Sequence, residues 1–182
     1  MHIPCHSRGH SRGMTLIELI VILGIVAALL VGAAPSFRSM MASTQLITAK
    51  NSLVLGLQRA RMEAVARGRE QVLCPSRDGL RCEDASDWSN GWLLYSDDNR
   101  NGRFDPVEPL LLAQALDPDN VSIRSTSGRR RITYRGMGEA PGTNVTFVVC
   151  SRQRADKGGQ VIVSNSGRVR TLNFAPPAAC TG

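Results

Sequence analysis

Four sets of side chains in this 182-residue chain could do chemistry. One carboxylate, Glu18, stands inside an apolar run, "RGMTLIELIVILGIVAALLVGAAP". The stretch "DDNRNGRFDPVE" places Asp97, Asn99, Asn101, Asp105 and Glu108 around Gly102 at the spacing of a calcium-binding loop. Cys74, Cys82, Cys150 and Cys180 form an even set. Near the C-terminus, "SGRVR" puts Arg168 and Arg170 on either side of Val169. In a strand those two guanidinium groups share one face, where both can reach phosphates.

Other chemistry is excluded by what the chain lacks. Its three histidines, His2, His6 and His10, all fall in the first ten residues. No histidine remains to serve a Ser-His-Asp or Cys-His nucleophile or an ordinary zinc hydrolase. There is no G-x-x-x-x-G-K-[ST] and no G-x-G-x-x-G to cradle phosphate. The expectation is a protein that is not an enzyme and has no resident cofactor, with calcium at "DDNRNGRFDPVE" as the one candidate. That candidate is weakened by Pro106 and Pro109, which block an exit helix, and by "GWLLYS", which reads as a strand where an entry helix belongs. The competing reading is an Asx-rich turn.

The elements that position these groups follow from periodicity. Met14 to Ala34 is 21 residues with Glu18 as its single charge. A helix of that length rises about 30 Å, enough to span a hydrocarbon core. Residues 1–13 carry Arg8 and Arg12 and no acid, which keeps that end cytoplasmic. Pro35 kinks the helix without ending it. Beyond it, Leu46, Ala49, Leu53, Leu57, Ala60 and Ala64 follow helical spacing, with Asn51, Gln58, Arg61 and Arg67 off the stripe. Gly68 supplies the stop. The period then changes to short strands: "EQVLCP", "GWLLYS", "LLLAQAL", "VSIRS", "RITYRG", "NVTFVVC", "QVIVSNSG" and "RVRTLNF". The last two form a hairpin turning at Asn165, Ser166 and Gly167. The predicted class is α+β: one long N-terminal helix, then an antiparallel β domain of two packed sheets. The predicted parts are 1–13, a basic segment; 14–34, a membrane span; 35–68, an amphipathic helix; and 69–182, the β domain.

Charge is segregated along the chain. Residues 76–120 hold four Arg or Lys against ten Asp or Glu, and residues 121–182 hold ten against two. A two-signed surface follows, and its basic part suits an anionic partner. Four cysteines allow three pairings. Cys74–Cys82 and Cys150–Cys180 are favoured because each closes a modest segment, in the oxidising compartment beyond a bacterial inner membrane. A zinc site is the rival, without a C-x-x-C or any histidine after His10 to support it.

Gly13, Met14 and Glu18, in front of and within an apolar span, resemble the class III leader of type IV pilins and pseudopilins. The resemblance implies cleavage by a prepilin peptidase after Gly13 and methylation of the new terminus at Met14, where most members have Phe. It also gives Glu18 a purpose. A carboxylate in lipid needs a partner, and in a filament of staggered helices the N-terminal amine of a neighbouring subunit is one. Trp88, Gly91 and Trp92 ("W..GW"), with the helix and β domain, resemble the GspH/FimT family of minor pilins and pseudopilins. The FimT branch of that family takes up DNA in natural transformation and contacts it through a C-terminal G-R-x-R. Gly167, Arg168 and Arg170 match that motif, and Arg129, Arg130, Arg131, Arg152 and Arg154 add charge. The resemblance thus implies an inner-membrane protein whose C-terminal domain lies in the periplasm before it joins a filament. Its partners would be other pilins, prepilin peptidase and DNA bound through its backbone. The alternative is a structural minor pseudopilin of a type II secretion system.

Overall fold

The computed structural model describes residues 14–154, 156–173 and Cys180, with the backbone alone for 31–35. The expected leader, with Gly13, lies outside the described residues. The chain divides into two compact units, Met1–Arg38 and Ser39–Gly182. One helix, α1 (Leu16–Arg67, 52 residues), contributes to both.

In the first unit, α1 starts behind Thr15, whose Oγ1 accepts a hydrogen bond from the Glu18 N–H at 3.4 Å. Thr15 is therefore the N-cap, and Glu18 stands at the third helical position. A carboxylate there is favoured by the positive end of the helix dipole. The apolar side chains that follow, among them Leu16, Ile17, Leu23 and Leu29, are exposed. Among the described residues no helix is long and apolar enough to cross a membrane. The span expected at 14–34 runs into residues 31–35, whose side chains lie outside the described set.

In the second unit the apolar stripe of α1 is buried as its spacing requires: Leu46, Ala49, Leu53, Leu57, Ala60 and Ala64 line the core. The helix ends at Arg67, one residue before Gly68. Eight strands follow: β1 (Gln71–Pro75), β2 (Gly91–Ser96), β3 (Leu110–Ala115), β4 (Val121–Ser125), β5 (Ile132–Tyr134), β6 (Val145–Ser151), β7 (Gly158–Val163) and β8 (Val169–Leu172). They form two antiparallel four-stranded sheets, ordered β3-β2-β1-β5 and β4-β6-β7-β8. β4 and β5 are consecutive in sequence but belong to different sheets.

The main core lies among α1 and the two sheets. Trp88 and Phe147 meet edge to face at 5.1 Å, and Trp92, Leu94, Ile123, Tyr134, Val161 and Val163 fill the space around them. A second cluster, on the other face of the first sheet, joins Val72, Cys74, Leu93 and Tyr95, with Cys82 and Phe104 packed over it. This explains why "GWLLYS" is a continuous apolar run rather than an alternating one. β2 is covered on both faces and buried at every position. Cys74 is bonded to Cys82 and Cys150 to Cys180, closing separations of 8 and 30 residues. The loop-entropy account gives these closures about 2.5 and 3.5 kcal/mol.

Candidate nucleic-acid interface

Among the described residues β8 is the edge strand of the second sheet, paired only with β7. Val169 lies opposite Val163 and packs against the core, so the side chains on either side of it face outward. Arg168 and Arg170 are both exposed. Among the described residues neither guanidinium has a carboxylate partner: the nine ion pairs found there involve other arginines. Two positive charges thus stand on one face of an edge strand with their full hydrogen-bonding capacity open to solvent.

The turn that presents them is rigid for reasons that lie elsewhere in the chain. Gly167 has φ +75° and is buried against the turn at Gly138. A Cβ at Gly167 would collide with the Gly138 carbonyl. That carbonyl also accepts a hydrogen bond from Arg61 Nε on α1, at 3.0 Å. On the other side, Asn165 is stapled to loop 140–144. Its backbone carbonyl accepts from the Ala140 N–H at 2.9 Å, and its Oδ1 accepts from the N–H groups of Thr143 and Asn144 at 3.0 and 3.2 Å. The Asn165 N–H donates to Asn144 Oδ1 at 3.1 Å. The glycine in "SGRVR" is therefore buried, and its left-handed backbone sets the direction in which the chain enters Arg168. From sequence Arg61 is only a polar residue off the apolar stripe, and Gly138 and Asn144 carry no assignment. Their partners lie 21 to 77 residues away, and no local pattern marks them.

The remaining basic residues divide. Arg130 is paired with Asp84, and Arg131 with Asp84 and the Gly102 carbonyl. Arg129 is exposed and makes no ion pair among the described residues. Arg152 and Arg154 sit at the opposite end of the sheet, in the β6–β7 turn. Arg152 Nε donates to the Pro118 carbonyl at 2.6 Å. Arg154 grips Asp156 through two hydrogen bonds and donates to Ser39 Oγ. The Arg154 guanidinium holds the Asp156 carboxyl down to about 2. The structure thus brings Arg129, Arg168 and Arg170 to one end of the sheet, and places Arg152 and Arg154 away from them.

The calcium candidate, Asp97 to Glu108, is held by hydrogen bonds of its own. Asp97 accepts from the N–H groups of Asn101 and Gly102, and Glu108 from those of Asp98 and Asp105. Asn99 and Asn101 each turn an amide nitrogen, at 2.8 Å, toward Asp105. These oxygens accept the loop's own N–H groups, as in an Asx-rich turn. Among the described residues no three Asp, Glu, His or Cys side chains are grouped to hold a metal. Trp88 and Trp92 of "W..GW" are fully buried, so that pattern serves the core.

A long N-terminal helix with a carboxylate near its start, followed by two four-stranded antiparallel sheets, defines a pilin-like subunit. The chain belongs to the family described as Type II transport protein GspH, which matches residues 49–167. Residues 8–34 match the prokaryotic N-terminal methylation motif. A relative, pilin-like protein PilA1 of Thermus thermophilus, is 32% identical over 171 residues, covering 87% of this chain and 97% of that protein. Two solved structures share the fold. The type IV minor pilin FimU of Pseudomonas aeruginosa matches with a TM-score of 0.52 at 21% identity, over 74% of this chain and 91% of that one. The minor pseudopilin EpsH of the type II secretion system of Vibrio cholerae matches with a TM-score of 0.51 at 11% identity, over 73% and 99%. This is a family of minor pilins and pseudopilins, filament subunits rather than enzymes.

Proposed function

We propose that this protein is a minor pilin of FimT-like role, which binds extracellular DNA through phosphate contacts of Arg168 and Arg170. The observation that carries the reading is the pair of exposed, uncompensated guanidinium groups on one face of an edge strand. Each can neutralise a phosphate and release a counterion, which is where sequence-independent affinity for DNA comes from. The face offers few amide or aromatic side chains for reading bases, so contacts would position the duplex without specifying its sequence. Processing belongs to the same proposal. Prepilin peptidase cuts after Gly13 and methylates Met14, and Glu18 pairs with the N-terminal amine of a neighbouring subunit. The leader end lies in the cytoplasm, the segment from Met14 to Ala34 in the inner membrane and the β domain in the periplasm before assembly.

The second reading is a structural minor pseudopilin that touches only proteins, favoured by the description of the matched family as a type II transport protein. A salt titration separates the two. Full-length protein in non-ionic detergent is titrated with a duplex at several salt concentrations. For the DNA reading, Arg168→Ala with Arg170→Ala flattens the log–log salt slope by roughly two units, about 0.9 per phosphate contact. Binding by the double variant equal to wild type at every salt concentration removes the DNA role and leaves the pseudopilin reading.

A further inference from the structure

The pattern S-G-R-x-R occurs twice in this chain: Ser166–Arg170, discussed above, and Ser127–Arg131. Both glycines have positive φ, +75° at Gly167 and +79° at Gly128. Both turns lead into an edge strand, β8 of the second sheet and β5 of the first. The two turns also lie at the same end of the second sheet, on its opposite edges. Thr126 bonds to Thr146, Thr146 lies opposite Ile162, and Ile162 lies opposite Arg170. The Arg129 N–H donates to the Thr126 carbonyl at 3.0 Å, so Arg129 is one turn from the start of that row. The row crosses three strand spacings, roughly 14 Å.

What lies between the two turns matters as much. Loop 140–144, Ala-Pro-Gly-Thr-Asn, carries no charge and is fastened to the second turn by Asn165. Its Pro141, Gly142 and Thr143 also line an open depression of about 450 Å³ together with Gly128, Arg129 and Asp84, the acid that pairs with Arg130 and Arg131. One surface therefore runs from Arg129, over a neutral loop, to Arg168 and Arg170. Glu139, the single acid of residues 121–155, has one of its carboxylate oxygens buried. The separation is close to the width of the major groove of B-form DNA, about 12 Å.

We propose that the first turn is a second phosphate contact, so that one duplex is gripped across its major groove. Arg129 takes a phosphate of one strand, Arg168 and Arg170 take phosphates of the other, and loop 140–144 faces the groove between them. The proposal rests on the DNA reading above and adds to it a geometry and a residue. It also divides the first turn. Arg129 is available, whereas Arg130 is held by Asp84.

The test uses the full-length protein in detergent and a duplex of about 20 base pairs, with one of its strands alone as the second probe. Arg129→Ala should lower the duplex salt slope by about 0.9, as each of Arg168→Ala and Arg170→Ala does. Arg129→Lys should restore it, because the charge is kept. Arg130→Ala should leave the slope unchanged, and the single strand should be insensitive to Arg129→Ala, having no second row of phosphates. An unchanged slope for Arg129→Ala, beside a flattened one for Arg168→Ala with Arg170→Ala, overturns the second contact and leaves the DNA reading standing. No flattening in either overturns both. An equal loss on duplex and single strand overturns the cross-groove geometry, and an equal loss for Arg130→Ala overturns the division within the turn. Unchanged melting temperatures identify variants whose fold is intact.

Discussion

Two turns of this molecule share the pattern S-G-R-x-R and differ in how their arginines are paired. In Ser127–Arg131, two of three arginines are tied to Asp84, on the loop between β1 and β2. In Ser166–Arg170, both arginines are without a carboxylate among the described residues. The difference comes from where the acids lie. Ten of the 15 Asp and Glu residues fall in 76–120, and that segment reaches the first turn through Asp84 and the Gly102 carbonyl. A motif says which side chains a turn holds, and long-range pairing decides which of them remain available. An arginine already neutralised must give up its partner before it can displace a counterion from DNA, so its net contribution falls well below the full phosphate contact.

The largest effect expected from breaking this comparison is covalent. Cys150–Cys180 fastens the chain beyond β8 to β6, and Cys74–Cys82 fastens the loop after β1. Serine at both positions of the first should cost about 3.5 kcal/mol, and of the second about 2.5 kcal/mol. Urea unfolding of the two double variants checks the order, and a larger loss at Cys74–Cys82 would contradict it.

Next come the two glycines. Gly167→Ala meets the Gly138 carbonyl, whereas a Cβ at Gly128 meets open space. Both variants carry the left-handed backbone penalty of about 1–2 kcal/mol. Gly167→Ala should lose a further 1–3 kcal/mol or so from overpacking. Equal losses in thermal unfolding would mean that the second turn is not held by its contact with Gly138.

A smaller change should convert the first turn toward the second. Asp84→Asn removes the charge that holds Arg130 and Arg131. If duplex binding runs past this turn, the variant should bind more tightly at low salt, with a slope steeper by up to about 0.9 for each arginine freed. A slope no steeper than that of wild type would place the DNA away from Asp84.

The smallest effect is acid sensitivity. Burial opposes ionisation of Asp87, but hydrogen bonds from Ser89 and the charges of Arg124 and Arg152 outweigh it and hold the carboxyl below its usual value. Asp78, bonded to Arg81, is held down to about 2. Depressed folded-state values contribute stability above the unfolded value, about 3.9, and that stability is lost as pH falls below it. The melting temperature should therefore fall as pH drops from about 4 toward 2, from this cause. Asp87→Asn should soften the decline slightly, and an unchanged profile would show that Asp87 contributes nothing to it.

The path from sequence to these regions was uneven. Helical spacing from Leu46 to Ala64 marked the buried stripe, because one face of a 3.6-residue period must meet the core. Short apolar runs, continuous in "GWLLYS" and alternating in others, together with turn residues located the eight strands of the described residues, and modest spacing favoured the two cysteine pairings that are present. Sheet membership was not legible. Nothing local says that β4 and β5 part company, since that depends on which partners close the core. Charge availability was not legible either. Arg130 and Asp84 are 46 residues apart, so "GRRR" and "GRVR" read alike until the fold brings an acid to one of them. The T-x-x-E pattern at Thr15–Glu18 is a local signal that could have been read as a helix cap beside the assembly role.

The central claim is that assembly resides in the N-terminal segment and DNA binding in Arg168 and Arg170, so that one can be removed without the other. The most direct measurement is the transformation frequency of cells whose only copy is Arg168→Ala with Arg170→Ala, with the variant present in sheared filaments at the wild-type amount. The account predicts that transformation is lost while incorporation is kept. Wild-type transformation by that variant would contradict it.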